Sequence, residues 1–367
     1  MNYDYLIVGA GFAGSTLAER LASECHAKVL VIDARPHVGG NAYDPLDEHG
    51  IRVHRYGPHI FHTSSPRVAA YLSRFTRWRP YEHRVLARVA GRDVPLPICS
   101  GTIAALYGLD LNPAQMEAFF QERRVPMGAL RNSEDAIVSR VGRELFETLF
   151  AGYTRKHWGL EASDLDASVC GRIPVRTGAD DRYFSDSFQA MPLEGYEALF
   201  ARMLDHPNIE VALAQRFEDL GASVRYDRAI YTGPIDAYFG FCFGHLPYRS
   251  LRFEFETYDT ERFQNAAVVN FPGSEPFTRI SEFKYLTGQQ HARTTIAREF
   301  SSDAGEPYYP IPRPENRELY AKYAARAANE SHVTFVGRLA EYRYYNMDQA
   351  VASALATFDE LARERVA

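Results

Sequence analysis

The stretch that most constrains this chain lies at its front, where Gly9-Ala10-Gly11-Phe12-Ala13-Gly14 separates two apolar segments. Tyr3 to Val8 reads as a buried strand, and Phe12 to Glu24 as a helix with Ala and Leu on one face. Lys28 to Ile32 reads as a second strand that stops at Asp33. Strand, glycine turn, helix and strand within about 30 residues make a βαβ unit. The glycines serve a tight turn, close backbone approach to a pyrophosphate, and close packing of helix on strand. Free N–H groups and the helix dipole receive phosphate charge. Asp33 stands where an acidic side chain bonds a ribose hydroxyl. The expected fold class is therefore α/β, built on a Rossmann-like domain.

The turn alone does not separate NAD from FAD. The residues after it, Asp33-Ala34-Arg35-Pro36-His37-Val38-Gly39-Gly40-Asn41, resemble the extended fingerprint of FAD enzymes of the glutathione reductase type. Near the other end, Gly337-Arg338 follows a strand pattern and a helix pattern follows Asn346. FAD proteins of this class use such a late glycine and helix N-terminus beside the flavin. One dinucleotide turn is visible in the chain, so a reductant such as NAD(P)H is expected to come from outside.

Between these ends the periodicity changes twice. Arg84 to Val94 alternates like a hairpin strand that Pro95 and Pro97 stop. Ser100 to Arg155 takes a helical period, with starts at Asn112-Pro113 and Asn132-Ser133 and i, i+4 pairs at Leu145/Leu149 and Phe146/Phe150. Arg172 to Pro192 is polar and reads as a loop, whereas Ser250 to Ala297 reads as strands. Tyr308 to Pro312 is an extended segment, and His332 to Val336 a strand. The expected organisation is a discontinuous FAD-binding domain (1–73, 205–245 and 330–367), a helical domain (100–171) and an antiparallel-sheet substrate domain (74–99, 172–204 and 246–329).

The net charge of -6 argues against nucleic acid as a partner. Apolar runs fall short of the ~18 to 20 residues that span a bilayer. The first strand begins too early for a signal peptide, so a cytoplasmic location is expected. Cys25, Cys99, Cys170 and Cys242 are far apart and predict reduced thiols rather than a disulfide framework or zinc site. His59 and His62 have metal-ligand spacing but no convincing third ligand, so no metal is expected.

Several blocks then point one way. Tyr56-Gly57-Pro58-His59-Ile60-Phe61-His62-Thr63, Tyr153-Thr154-Arg155-Lys156-His157-Trp158-Gly159, Arg172-Ile173-Pro174-Val175-Arg176, Asp181-Arg182-Tyr183-Phe184 and Tyr342-Arg343-Tyr344-Tyr345-Asn346-Met347-Asp348 resemble, in order, the blocks of UDP-galactopyranose mutases. The resemblance implies a flavoenzyme that interconverts UDP-galactopyranose and UDP-galactofuranose without net redox change, with N5 of reduced FAD as nucleophile at the anomeric carbon. A homo-oligomer is the expected assembly.

The resemblance also implies roles for residues. Arg172 and Arg279 grip the diphosphate, Arg172 from a loop that closes as a lid. Phe150 and Tyr153 stack on uracil, with Thr154 and Trp158 nearby. Tyr183, Asn270, Tyr309 and Tyr344 contact the substrate, as does His83, where family members often carry Asn. His62 orients the sugar or tunes the flavin. FAD is held by Gly9, Gly11, Phe12, Ala13, Gly14, Asp33, Ala34, Arg35, Gly40, Asn41, His59, Ile60, Gly337, Arg338, Tyr344, Asn346 and Met347. Asn346 departs from the family's Asp, which removes a negative charge from the site and predicts a weakened enzyme. Two other readings stand beside this one: a flavin oxidoreductase of the amine oxidase type, and a protein that binds nucleotide sugars without turnover.

Overall fold

The computed structural model describes residues 2–221 and 224–366. Its first strand, β1 (Asn2–Val8), runs into α1 (Phe12–Cys25) and then β2 (Val29–Asp33). These are the elements the sequence predicts, with ends shifted by a residue. β1 lies in the middle of a five-stranded parallel sheet. The strand Ile209–Leu213 lies beyond β2, and Arg225–Tyr231 and then Val333–Phe335 lie on the other side. The chain leaves β1 toward β2 and later returns beside β1 with Arg225–Tyr231. That divergence is a topological switch, and the crevice beyond the strand ends is where such sheets bind ligands. The C-terminal helix Met347–Val366 packs along α1. Leu17, Leu21, Ile7, Val31 and Leu361 are buried between helices and sheet.

A second sheet of seven strands is mostly antiparallel. Its edge is the hairpin Val85–Val89 and Arg92–Leu96, turned at Ala90 and Gly91 with φ of 47° and 77°. Here the sequence expectation fails in detail. Pro95 does not stop the strand but pairs opposite Leu86 within it. An edge strand has no outer neighbour to receive the missing N–H, so proline costs little there. The polar stretch 172–192 also differs from a pure loop. Its end, Phe188–Pro192, is the central strand of a small sheet with Phe61–Thr63 and Trp78–Pro80. A helix over Pro314–Ala327 was not anticipated either.

The helical layer starts as read: Asn112 and Asn132 each cap a helix by accepting a backbone N–H. The i, i+4 reading breaks further on. Between the helix Arg143–Phe146 and the helix Gly152–Trp158, residues Glu147–Ala151 form a π turn. The wide turn inserts one residue and re-phases the faces that follow. Gly152 allows the next helix to press on the seven-stranded sheet, because a Cβ there would lie 2.1 Å from the Pro272 carbonyl. Lys156 fastens the contact by donating to the carbonyls of Phe271, Glu275 and Phe277.

His54 and His83 are buried in the core, and His59 is half-buried on the wall of a cleft. Burial, with His59 and Arg52 nearby, pushes His54 down to about 3. Burial pushes His59 to about 4, against its contact with the Gly57 carbonyl. Burial and Arg279 push His83 to about 3. Asp44, which caps a helix through the Tyr196 and Glu197 N–H groups, is moved the other way by burial, up to about 6. Between about pH 6 and about pH 4 the unfolded chain therefore binds protons on His54, His59 and His83 that the folded one refuses, burial lowers His37 and His157 in the same direction, and the folded chain keeps one extra proton on Asp44. Stability is therefore expected to drop as the pH is lowered through that window, on the order of 3 kcal/mol per unit from the net two protons of His54, His59 and His83 less Asp44, at about 1.4 kcal/mol per proton. Urea unfolding across the window measures the slope, and His54→Gln is expected to flatten it by about 1.4 kcal/mol per unit.

Candidate active site

The crevice at the switch point is a cavity of ≈510 Å³. Gly9, Gly11, Phe12 and Ala13 form its floor at the N-terminus of α1, and Asp33, Ala34, Arg35, Gly40 and Asn41 its side. His59, Gly337, Arg338, Asn346 and Met347 close the other end, at the start of the C-terminal helix. Gly9 has a φ of 106°, and any Cβ there would lie 2.1 Å from the Thr232 hydroxyl. Asp33 accepts the N–H of Ala10 at 2.8 Å and of Arg35 at 2.9 Å. Its carboxylate thus shapes the turn and keeps lone pairs for a ribose. An elongated cleft with a helix N-terminus at each end suits a dinucleotide whose diphosphate lies over the glycine turn.

Gly14, Ile60 and Tyr344, expected beside the cofactor, do not line this cavity. Gly14 packs α1 on β1, since a Cβ would meet the Gly9 carbonyl at 1.9 Å. Ile60 is buried. The sequence reading missed Gln215–Glu218, Thr232–Pro234 and Glu306–Tyr308, which complete the walls. No local motif marks them, because only sheet pairing brings them beside β1 and β2.

Beyond the end of the cleft formed by Arg338 and Asn346, one row of the seven-stranded sheet carries the polar groups. Ala87, Asn270, Arg279, Glu299 and Phe253 are direct partners across five strands and so share a face. Arg279 Nε donates to Glu299 Oε1 at 2.9 Å, and the Thr278 hydroxyl donates to the same oxygen at 2.7 Å. His157 lies 3.6 Å from that oxygen. Burial favours a protonated Glu299, but Arg279, His157 and Thr278 outweigh it and hold the carboxyl down at about 2. Burial opposes charge on Arg279, and Glu299 more than restores it. Sequence reasoning did not single out Glu299, although a charge at the inward position of an alternating strand, in phase with Ala297, was a signal.

Aromatic rings enclose this row. Arg279 lies 5.8 Å from the Tyr153 ring, which stacks on His157. Tyr309 and Tyr344 meet edge to face at 5.1 Å, with Trp158 within 6.2 Å of both. Arg172 donates to the Tyr344 hydroxyl at 2.9 Å and lies 4.4 Å from its ring. Arg338 lies within 6.0 Å of both tyrosine rings. Burial would raise Tyr344, but Arg172, Arg338 and Arg279 pull it below the ordinary phenol range. Tyr183, His83, Phe184 and His62 continue the wall through successive ring contacts.

Most of the expected substrate residues therefore meet in one place. Phe150 is buried, 4% exposed, near the end of the π turn. Thr154 is buried against the Cys170 thiol. Asn270 has a buried amide oxygen with no partner. The Asn346 N–H is held by the Gln349 side chain at 2.9 Å, as in a capping box, while its own side chain is exposed. Among the described residues no cluster of three His, Cys, Asp or Glu could hold a metal, and no helix is long and apolar enough to cross a membrane.

Comparison with known proteins agrees with this arrangement. The UDP-galactopyranose mutase family profile matches residues 148–344, and an NAD(P)-binding Rossmann-like profile matches residues 7–75. A probable UDP-galactopyranose mutase of Klebsiella pneumoniae is 39% identical over 98% of this chain and 94% of its own length. The chain belongs to the UDP-galactopyranose mutase family. A family relative of Escherichia coli, a dTDP-fucopyranose mutase, is 37% identical over 95% of this chain and 96% of its own length. The fold is that of a crystal structure of reduced UDP-galactopyranose mutase, with a TM-score of 0.81, 16% identity, and 99% and 94% of the two chains covered. A putrescine oxidase shares the fold more distantly, at a TM-score of 0.57 and 14% identity.

The buried Arg279–Glu299 pair should be sensitive to loss of one partner. Glu299→Ala leaves a mostly desolvated guanidinium unpaired and is expected to lower the unfolding free energy by roughly 3 kcal/mol. Urea denaturation of the purified variant measures that loss.

Proposed function

We propose that this protein is a flavin-dependent isomerase that interconverts UDP-galactopyranose and UDP-galactofuranose and works with FAD in its reduced form. The carrying observation is the convergence of Arg172, Arg279 and Arg338 with a ring of tyrosines where the dinucleotide cleft ends. Cations gathered against aromatic rings beside a flavin cleft suit a nucleoside diphosphate joined to a sugar. The residues present fit FAD: the Gly9–Ala13 turn and Asp33 would hold its adenosine diphosphate half, and Arg338, Asn346 and Met347 the flavin end. When bound and reduced, FAD supplies an electron-rich N5 as nucleophile at the anomeric carbon.

The chain's own residues then have distinct tasks. Arg172 and Arg279 bind the diphosphate in fixed geometry, and their charge eases departure of UDP and holds it for return. Tyr153 and Trp158 offer faces to the uracil, with Phe150 and Thr154 behind them. Tyr183, Asn270, Tyr309, Tyr344 and His83 shape the sugar chamber, and the free Asn270 oxygen awaits a hydroxyl donor. The enclosing rings exclude water, which protects a reactive anomeric carbon from hydrolysis. The reductant is external, of the NAD(P)H type, since the cleft serves one dinucleotide. The protein works in the cytoplasm as a homo-oligomer.

Four outcomes check this reading. The purified protein is expected to be yellow and to bleach with dithionite. The reduced form, and not the oxidised one, is expected to convert UDP-galactofuranose to UDP-galactopyranose. Net substrate oxidation would point instead to an oxidase, and turnover confined to dTDP-fucofuranose would change the sugar assigned. Arg172→Ala is expected to lower kcat by about 100-fold, the scale for a donor that stabilises departing charge. Asn346→Asp, which restores the carboxylate that the family carries, is expected to raise kcat by about 10-fold, or about 1.4 kcal/mol of barrier. Equal rates would mean that Asn346 does not weaken the enzyme.

A further inference from the structure

We infer that Asp186 is a positioning residue, which locks His62 into the tautomer with the proton on Nδ1 and leaves Nε2 as the working nitrogen of the site. The inference rests on the isomerase reading above and adds to it a residue outside the family blocks.

The geometry is that of a His–Asp dyad. His62 Nδ1 lies 2.7 Å from Asp186 Oδ2, and the two side chains are 10% and 26% exposed. A carboxylate only accepts, so the bond requires the proton on Nδ1. His62 Nε2 has no protein partner, and it is not among the sealed, unpaired atoms of the structure. It is therefore neither tied to the protein nor sealed off by it.

Both members of the dyad are fixed from behind. The imidazole stacks on Phe184 at 3.7 Å, and Phe184 stacks in turn on His83. The other Asp186 oxygen accepts from the Ser64 hydroxyl at 2.9 Å. The Gln189 amide donates to the backbone carbonyls of Phe184 and Asp186 and pins the turn that presents the carboxylate. His62 and Gln189 are strand partners, so one antiparallel pair holds the turn and the ring in register. The neighbouring Thr63 donates to Asp348, in the first turn of the helix whose start lines the cofactor cleft. His62 thus stands between the flavin end and the wall of rings that leads to Arg279.

An oriented imidazole has a use in the proposed reaction. Changing a six-membered sugar ring for a five-membered one moves a proton. The oxygen that leaves the ring ends as a hydroxyl, and the hydroxyl that enters the ring gives its proton up. A base whose Nε2 lone pair is held free can take that proton and return it, with no net proton gained or lost. With Nδ1 tied to a carboxylate, Nε2 is the nitrogen left for that exchange.

The test reads tautomer and turnover separately. In 15N-histidine-labelled holoenzyme, with the His62 signals assigned by their loss in His62→Gln, the expected pattern is protonated Nδ1 and unprotonated Nε2. Asp186→Asn, which can donate to Nδ1, is expected to shift that pattern toward the Nε2–H form and to lower kcat by about 100-fold with KM within about twofold. Asp186→Glu is expected to restore part of the loss. Ser64→Ala, which leaves the dyad bond intact, is expected to cost less than about fivefold. An Nε2–H pattern in the parent protein overturns the inference, as does an Asp186→Asn variant with unchanged kcat. So does a loss of activity in that variant matched by loss of bound flavin, which marks a merely structural role. If the parent protein shows no isomerisation, the functional reading fails, and the NMR pattern still judges the dyad.

Discussion

A guanidinium held mostly out of water must keep a carboxylate beside it, and that demand organises the centre of this molecule. Arg279 and Glu299 meet as direct partners on adjacent strands, so the pairing of the sheet sets their distance. Asn270 and Phe253 extend the same row. The helix Gly152–Trp158 then settles on that face, and His157 reaches the same carboxylate. Desolvation makes the pair costly to break and stiff to move. A charge fixed in this way needs no reorganisation when an anionic group comes beside it, which is the role proposed above for Arg279.

The dinucleotide cleft follows a different logic, because it is made of backbone. Its floor is a turn that only glycine can form at residue 9, and its ends are helix N-termini. Side chains contribute through shape and a few acceptors such as Asp33. The two logics meet at the start of the C-terminal helix, where Asn346 and Met347 belong to the cofactor cleft while Tyr344 turns away to meet Arg172. Two positions along the chain, from Tyr344 to Asn346, therefore separate the wall of rings from the cleft.

The parts legible in the sequence were those in which one local pattern has one structural meaning. The βαβ unit, the asparagine helix caps and the late glycine turn are of this kind, and the family blocks located the arginines and tyrosines. What escaped depended on distant pairing. Pro95 reads as a strand stop until the strand is known to be an edge. Phe188–Pro192 reads as loop because its partners, Phe61–Thr63 and Trp78–Pro80, lie more than a hundred residues away in sequence. The π turn at Glu147–Ala151 leaves no mark in the i, i+4 pattern that it interrupts. Glu299 and Asp186 look like ordinary surface acids until the groups they face are placed.

The cofactor cleft also has an order of assembly written into it. Its walls come from β1 and β2, then from residues 215–237, then from 306–308, and finally from residues 337–350. During synthesis the glycine turn emerges early, yet the cleft lacks its far end until residue 350 has left the ribosome. The first half of the chain therefore folds beside an incomplete cleft. The early sheet waits with an open flank, and the cleft is complete only once the C-terminal helix has docked against α1.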